Sequence, residues 1–337
     1  MSDLRINNIT DRAGSSGPII AGVSTVTSTS HMVMPSGPTE MRGGRGTMLL
    51  MGGFGNSPNN TYQNQIQRLT ISTTGNTTDF GDMRVTRYVP ATLASSTRGK
   101  AACGENPSPA TDTIDYTTIS SSGGANDFGN LSVATSFQVG LSDSTRGLIA
   151  GGYVAPIDIN SIDFITIAST GDSSEFGDLS LIRADAAGVG DGIRGVLAGG
   201  ENPGSPYESY DYIEVVTIAT TGNGASFGDL ITPMVGDSSV ADRTRGVICC
   251  SSTLEPGNSS PNNTRTNIIE FITTAVGGTA QDFGDLTIDR KCGNGVSSST
   301  TRGLFYSGTP GPSAVSYTHL RAHETVLDLV CRLLLEK

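Results

Sequence analysis

A chain of 337 residues with 44 glycines, no Trp and a formal net charge of −11 is long enough to bury a sizeable core. It is poorly suited to nucleic acids or anionic membrane surfaces, which need clustered Lys and Arg. No apolar run is long enough to span a bilayer, and Met1-Ser2-Asp3-Leu4-Arg5 lacks the apolar stretch of a secretory signal.

The abundance of Gly, Ser, Thr and Asn fits short strands joined by tight turns, where Gly and Asn tolerate positive φ. The five cysteines, Cys103, Cys249, Cys250, Cys292 and Cys331, show no C-x-x-C spacing and read as small hydrophobes.

Residues 1–44 carry no repeat. Ile19-Ile20-Ala21-Gly22-Val23, Ser24-Thr25-Val26-Thr27-Ser28-Thr29 and Met32-Val33-Met34 lie between Gly/Ser/Pro loops. The segment predicts short strands that pack on the following domain or on a partner chain.

From there the chain repeats. Arg-Gly pairs begin at Arg45, Arg98, Arg146, Arg194, Arg245 and Arg302, at intervals of 53, 48, 48, 51 and 57 residues. A Phe-Gly-Asp block begins at Phe80, Phe128, Phe176, Phe227 and Phe283, at intervals of 48, 48, 51 and 56, with Asn130 replacing the acid in the second copy. Two markers that drift together define repeats with loop insertions.

Each unit has one grammar. The Arg-Gly pair opens a short apolar strand, as in Gly147-Leu148-Ile149-Ala150, and a Gly pair such as Gly151-Gly152 often ends it. After a loop comes a strand with an acid near its start: Asp115, Asp163, Glu214 or Glu270, with Gln67 in the first copy. A turn leads to Phe-Gly-Asp-Leu, and a Ser/Asp/Gly-rich connector with room for a fourth strand returns to the next Arg-Gly pair. Four strands and four turns fill this period, which is the length of a β-propeller blade.

Structural roles are expected for the repeated residues. The Gly pair would allow close packing near a crowded centre, and Phe would fill the space between sheets. The Phe-Gly-Asp acid would bond turn amides. The Arg would reach an Asp or a loop carbonyl of its own or the next blade, with an exposed ring of ligand-binding arginines as the alternative.

The units resemble kelch-type propeller blades, which also pair a Gly-Gly strand end with a downstream aromatic strand; the usual Trp is absent and Phe stands in its place. Together with Ser16-Gly17-Pro18-Ile19-Ile20-Ala21-Gly22-Val23 and Met34-Pro35-Ser36-Gly37-Pro38-Thr39, they resemble kelch-like virion proteins of marine tailed phages, tail- or fibre-associated. The resemblance covers residues 1 to about 314.

After Ser313 the composition changes: residues 315–337 lack Gly, are Leu-rich and predict an amphipathic helix. This tail also resembles translated sequencing-adapter read-through. The sixth unit starts at Arg302 and runs only a dozen residues before the change, so the natural repeat is expected to continue beyond it.

Catalytic chemistry is not legible. His319 and His323 have a zinc-compatible spacing but no third ligand, and His31 has no nucleophile pattern around it. Acids that recur once per unit are better explained by the fold than by glycoside cleavage. Gly188-Val189-Gly190-Asp191-Gly192 lacks the Lys-Ser/Thr of a phosphate loop. Asp172-Ser173-Ser174-Glu175 could hold Ca²⁺ but shows no recognised calcium pattern.

The sequence therefore predicts an all-β fold: a lead segment over 1–44, a kelch-like β-propeller over 45–314 with about five four-stranded units plus the start of a sixth, and a helical tail. It predicts no catalytic, metal or cofactor site. The resemblance implies a non-enzymatic virion protein whose partners are other virion proteins and a host glycan or surface receptor, present in the cytoplasm during assembly, without nucleic acid or membrane insertion. The alternatives are a cellular propeller module that binds a protein and a secreted propeller enzyme acting on carbohydrate. An enzyme would bring His, Tyr and Cys, or an Arg triad, together at one mouth.

Overall fold

A computed structural model describes residues 46–55, 61–71, 73, 75–106, 110–202, 208–236, 238–249, 251–253, 264–291, 295–298, 302–306, 309–310 and 318–321. The lead segment lies outside these residues, as do His31 and residues 322–337.

The described chain is a five-bladed β-propeller. Blade I holds β1 (Thr47–Gly55), β2 (Thr61–Thr70) and β3 (Thr78–Asp82). Blade II holds β4 (Ala91–Ala94), β5 (Arg98–Ala102), β6 (Thr113–Thr118) and β7 (Asn126–Asn130), paired antiparallel in that order. Blade III repeats this with β8 (Val139–Ser142), β9 (Arg146–Ala150), a small hairpin of β10 (Tyr153–Val154) and β11 (Ile157–Asp158), then β12 (Ser161–Thr166) and β13 (Ser174–Asp178).

Blade IV comprises β14 (Ala187–Gly190), β15 (Arg194–Ala198), β16 (Glu201–Asn202), β17 (Glu208–Thr217) and β18 (Ala225–Met234). Blade V comprises β19 (Ser238–Ala241), β20 (Arg245–Cys249), the hairpin β21 (Ser252–Thr253) and β22 (Thr264–Arg265), β23 (Ile268–Thr273) and β24 (Gln281–Asp285). Beyond it, β25 (Arg290–Lys291) precedes β26 (Gly295–Ser298) and β27 (Arg302–Tyr306); β25 pairs with β28 (Thr309–Pro310), and β29 (Thr318–Arg321) adds to β27.

The expected grammar maps directly onto strands. The connector supplies the innermost strand, the Arg-Gly pair opens the second, the acid lies on the third and Phe-Gly-Asp forms the outermost. Innermost strands lie side by side around the axis: β4 by β8, β8 by β14, β14 by β19 and β19 by β26, with β26 against β1.

The core lies between blades rather than inside them. One cluster joins Leu148 and Phe176 of blade III to Leu197 and Val216 of blade IV. Another joins Ala187 and Ile213 of blade IV to Ile248 and Ile272 of blade V. Leu304 of β27 packs with Met48 and Ile71, so the sixth sheet meets the first blade. A single twisted sheet has two faces to cover, and each blade covers its neighbour's.

The Phe-Gly pair creates a β-bulge. Ile114 pairs with Gly129 and Asp115 with Asp127, so Phe128 is the extra residue; the same register shift occurs in blades I, III, IV and V. The bulge redirects the ring into the inter-blade space, where Phe80, Phe128 and Phe176 are buried.

The Gly pairs are required by close packing, as expected, and by backbone conformation too: a Cβ would lie 2.6 Å from Arg183 O at Gly151 and 2.8 Å from Ser136 O at Gly152, and their φ are 63° and 107°. Inner-strand glycines are crowded as well, such as Gly188, where a Cβ would meet Val139 and Leu141. One expectation needs correction: the predicted helix over 315–337 fails where the tail is described, because Thr318–Arg321 is strand β29, aligned antiparallel on Arg302–Phe305. The open edge of β27 presents unpaired N–H and C=O groups, and edge pairing satisfies them better than a local helix does.

Candidate functional site

The repeated polar residues are consumed by blade-to-blade contacts. Each strand-three acid accepts a hydrogen bond from the backbone that follows Phe-Gly-Asp in the preceding blade. Asp115 accepts from Arg84 N at 3.0 Å, Asp163 from Ser132 N at 3.2 Å, Glu214 from Ser180 N at 2.7 Å, and Glu270 from Ile231 N and Thr232 N at 2.8 and 3.0 Å.

Two of these acids also form buried ion pairs. Arg87 Nη2 lies 3.0 Å from Asp115, and Arg183 Nη2 lies 2.7 Å from Glu214. The Nη1 of each guanidinium donates to carbonyls of the same receiving blade: Ala101, Cys103 and Thr113 for Arg87, and Gly199 and Tyr212 for Arg183. Burial draws both arginines down from their ordinary pKa, and the partner carboxylate opposes it.

The arginines of the Arg-Gly pairs are engaged at the opposite ends of their strands. Arg98 donates to Ile167 O and Ala168 O of the next blade at 3.0 and 2.8 Å, Arg146 to Ile218 O at 3.4 Å, and Arg194 to Thr274 O at 3.2 Å. The guanidinium carbons of Arg98, Arg146 and Arg245 stand 4.7, 4.8 and 4.7 Å from the ring centres of Tyr116, Phe164 and Phe271. Blade IV has Val215 at that place, and Arg194 instead pairs with Asp191 at 3.2 Å. These geometries match the expected structural role of the arginines rather than a ligand-binding ring.

The calcium candidate is absorbed in the same way: Asp172 accepts from Asn130 N at 2.9 Å, and Ser173 bonds Asp163 at 2.8 Å. Gly188 and Gly190 lie on innermost strand β14, and Asp191 accepts from Ile193 N and Arg194 N in the turn that follows. His319 lies on β29, and His323 lies outside the described residues. Among the described residues no group of His, Cys, Asp and Glu has the geometry of a metal site.

What remains is the axial mouth at the Gly-pair end of the strands. In each of blades II to V a connector residue bridges to the loop after the Gly-pair position: Tyr88 to Glu105, Ser136 to Tyr153, Ala184 to Glu201 and Val235 to Ser252. The next connector residue is left-handed in every case, with φ of 47° at Val89, 58° at Phe137, 54° at Asp185 and 71° at Gly236. Asp185 N donates to Phe137 O at 3.0 Å and Gly236 N to Asp185 O at 2.9 Å, linking the blades around the opening. Non-glycine residues held there cost about 1 kcal/mol or more each, and such strain concentrates at functional sites.

Side chains at this mouth do not repeat. An aromatic row runs from Tyr62 to Phe54, Tyr88 and Phe137, with successive ring centres 5.4, 5.8 and 6.4 Å apart. Phe54 is 42% exposed. Asp185 acts on Tyr88 of the row, and Asp158 and Glu201 act in turn on Asp185 and on each other. Lys291 Nζ pairs with Asp185 at 3.0 Å, and its side chain fills the space where Gly236 lacks a Cβ.

Burial, then the charges of Glu201 and Asp185, push the Asp158 carboxyl up to about 7. Glu201 is raised by burial and by Asp185, with Lys291 opposing. The Tyr88 hydroxyl is raised by burial and by Asp185. Asp158 is 3% exposed, and its Oδ2 has no hydrogen-bond partner.

None of these mouth residues stood out in the sequence as a site, because the repeat marks what is constant. The available signal was the opposite one, the variable positions flanking the Gly pairs.

A scan of protein-family models finds no match for the chain, and a search of curated proteins finds no relative. Among the described residues no helix is long and apolar enough to cross a membrane.

Proposed function

We propose that this protein is a non-enzymatic binding scaffold that uses the axial mouth to hold a glycan. The observation that carries this reading is the aromatic row ending at three carboxyl groups, built from residues that differ between blades on a backbone that does not. Aromatic rings pack against the C–H faces of sugars, and carboxylates accept their hydroxyl hydrogens. Arg87 and Arg183, two residues before the mouth positions Val89 and Asp185, are committed to buried ion pairs, and this supports binding over an arginine-based sialidase chemistry.

The blade grammar is of the kelch type. With the resemblance of the lead segment to phage virion proteins, it supports placement on a tailed-phage particle, in the tail or a fibre, where the ligand is a host surface glycan. A glycan array tests the binding directly: the full chain retains a discrete set of glycans, and Tyr88→Ala abolishes the signal while the protein stays folded. An array without a hit for the folded full chain refutes the reading. Peptide mass spectrometry of purified particles tests the virion placement, with the chain expected among stoichiometric structural components.

A further inference from the structure

The mouth gathers more carboxyl groups than cations. Asp158, Asp185 and Glu201 act on one another electrostatically, and Lys291 is the cation that acts on Glu201 while pairing with Asp185. An anionic ligand would be repelled. A neutral sugar would supply hydroxyl donors but would leave that excess in place.

Two separate observations point to a cationic donor. First, the Asp158 carboxyl is buried with its Oδ2 unpartnered, a costly state for a polar group until a partner reaches it. Second, the mouth already seats one primary ammonium. The Lys291 side chain crosses the space above Gly236 to reach Asp185, so the dimensions suit an amine on an alkyl carbon. Tyr88 and Phe137 stand next to this position on the aromatic row, and rings of this kind favour a cation over their faces.

We propose that the mouth takes the protonated primary amine of an amino sugar, held by Asp185, Glu201 and Asp158 with the sugar ring against Tyr88 and Phe137, and that Lys291 is the internal competitor it displaces. This deepens the glycan reading above and rests on it.

Calorimetry with an unacetylated glucosamine tetrasaccharide and its fully N-acetylated counterpart, at mildly acidic pH, tests the assignment. The amine form should bind at least about tenfold more tightly, since acetylation removes both the charge and two donors. Asp185→Asn and Glu201→Gln should each weaken it about tenfold. Lys291→Met should tighten it several-fold by vacating Asp185, an effect that misfolding cannot imitate; thermal melts verify that all three variants fold.

Equal affinity for both sugars overturns the amine contact and leaves the glycan reading standing. So does failure of both sugars while the array still retains another glycan through Tyr88. A lysine-rich peptide that binds as tightly as the tetrasaccharide overturns the sugar as the source of the amine. Weaker binding by folded Lys291→Met overturns the competitor role. Silence in both calorimetry and the array removes both readings together.

Discussion

The blade-to-blade contacts and the axial mouth share one backbone plan but use sequence in opposite ways. Between blades, the same chemistry recurs at the same position. The Phe-Gly-Asp strand offers two carbonyls to the turn of the following blade, as Phe128 O accepts from Gly171 N at 2.7 Å and Asn130 O from Ser173 N at 2.9 Å, and as Phe176 O and Asp178 O accept from Gly222 N and Gly224 N at 2.9 and 2.8 Å. At the mouth, equivalent positions carry Val89, Phe137, Asp185 and Gly236, or Glu105, Tyr153, Glu201 and Ser252. Constancy follows the needs of closure; variation on a constant backbone is where a ligand can be read.

Breaking the contacts between blades should cost stability in graded steps. The largest effect is expected for Arg183→Met. It leaves Glu214 buried and unpaired, and urea titration should show a loss of about 3–5 kcal/mol. Next is Gly177→Ala: Gly177 has φ of 153°, and a Cβ would sit 2.5 Å from Gly222 O of the next blade. That variant should lose about 2–3 kcal/mol by the same measurement. Asp163 has no arginine partner and bonds Ser132 and Ser173. Asp163→Asn should cost only about 1–2 kcal/mol, which sharpens the contrast between the ion-paired and unpaired acids.

The pH dependence offers a milder test, because a mouth group and an inter-blade group pull in opposite directions. The Asp158 carboxyl, raised from 3.8 to about 7, keeps its proton in the folded chain where the unfolded chain has lost it. Stability therefore falls as pH rises through that window, by up to about 1.4 kcal/mol per unit. Lys100 is fully buried, donates to Ile167 O at 3.0 Å and lies 3.2 Å from the centre of the Phe128 ring. Burial lowers its pKa from 10.5 to about 7. Between those values the unfolded chain binds the extra proton, so stability rises with pH. Thermal melts across pH should show a minimum near neutrality; Asp158→Asn should flatten the acid limb and Lys100→Met the alkaline limb.

Most of the fold was legible because the repeat exposes it. The phase of Arg-Gly against Phe-Gly-Asp predicted blades, and the acid on strand three was rightly assigned to structure. Its partner was not foreseeable: the backbone amide after Phe-Gly-Asp carries no side-chain signature. The alternation of Arg87 and Arg183 with Thr135 and Met234 was hidden in connectors that look like loops. Phe as a bulge residue, rather than a simple space-filler, depends on register, which a single strand does not state. The mouth was illegible for a different reason. Asp158 on β11, Asp185 in a connector, Glu201 on β16 and Lys291 on β25 are far apart in sequence and meet only once the ring closes. Thr318–Arg321 departs from the expected helix because that expectation did not include the open edge of β27.

The central claim is that closure and recognition are carried by separate residue sets. Its most direct test is glycan affinity per folded molecule, measured beside melting temperature for Gly177→Ala and Asp163→Asn on one side and Tyr88→Ala and Asp185→Asn on the other. The account predicts lower melting temperatures with unchanged affinity for the first pair, and near-native melting with lost affinity for the second. Mouth variants that melt as early as the inter-blade variants while binding normally would contradict it.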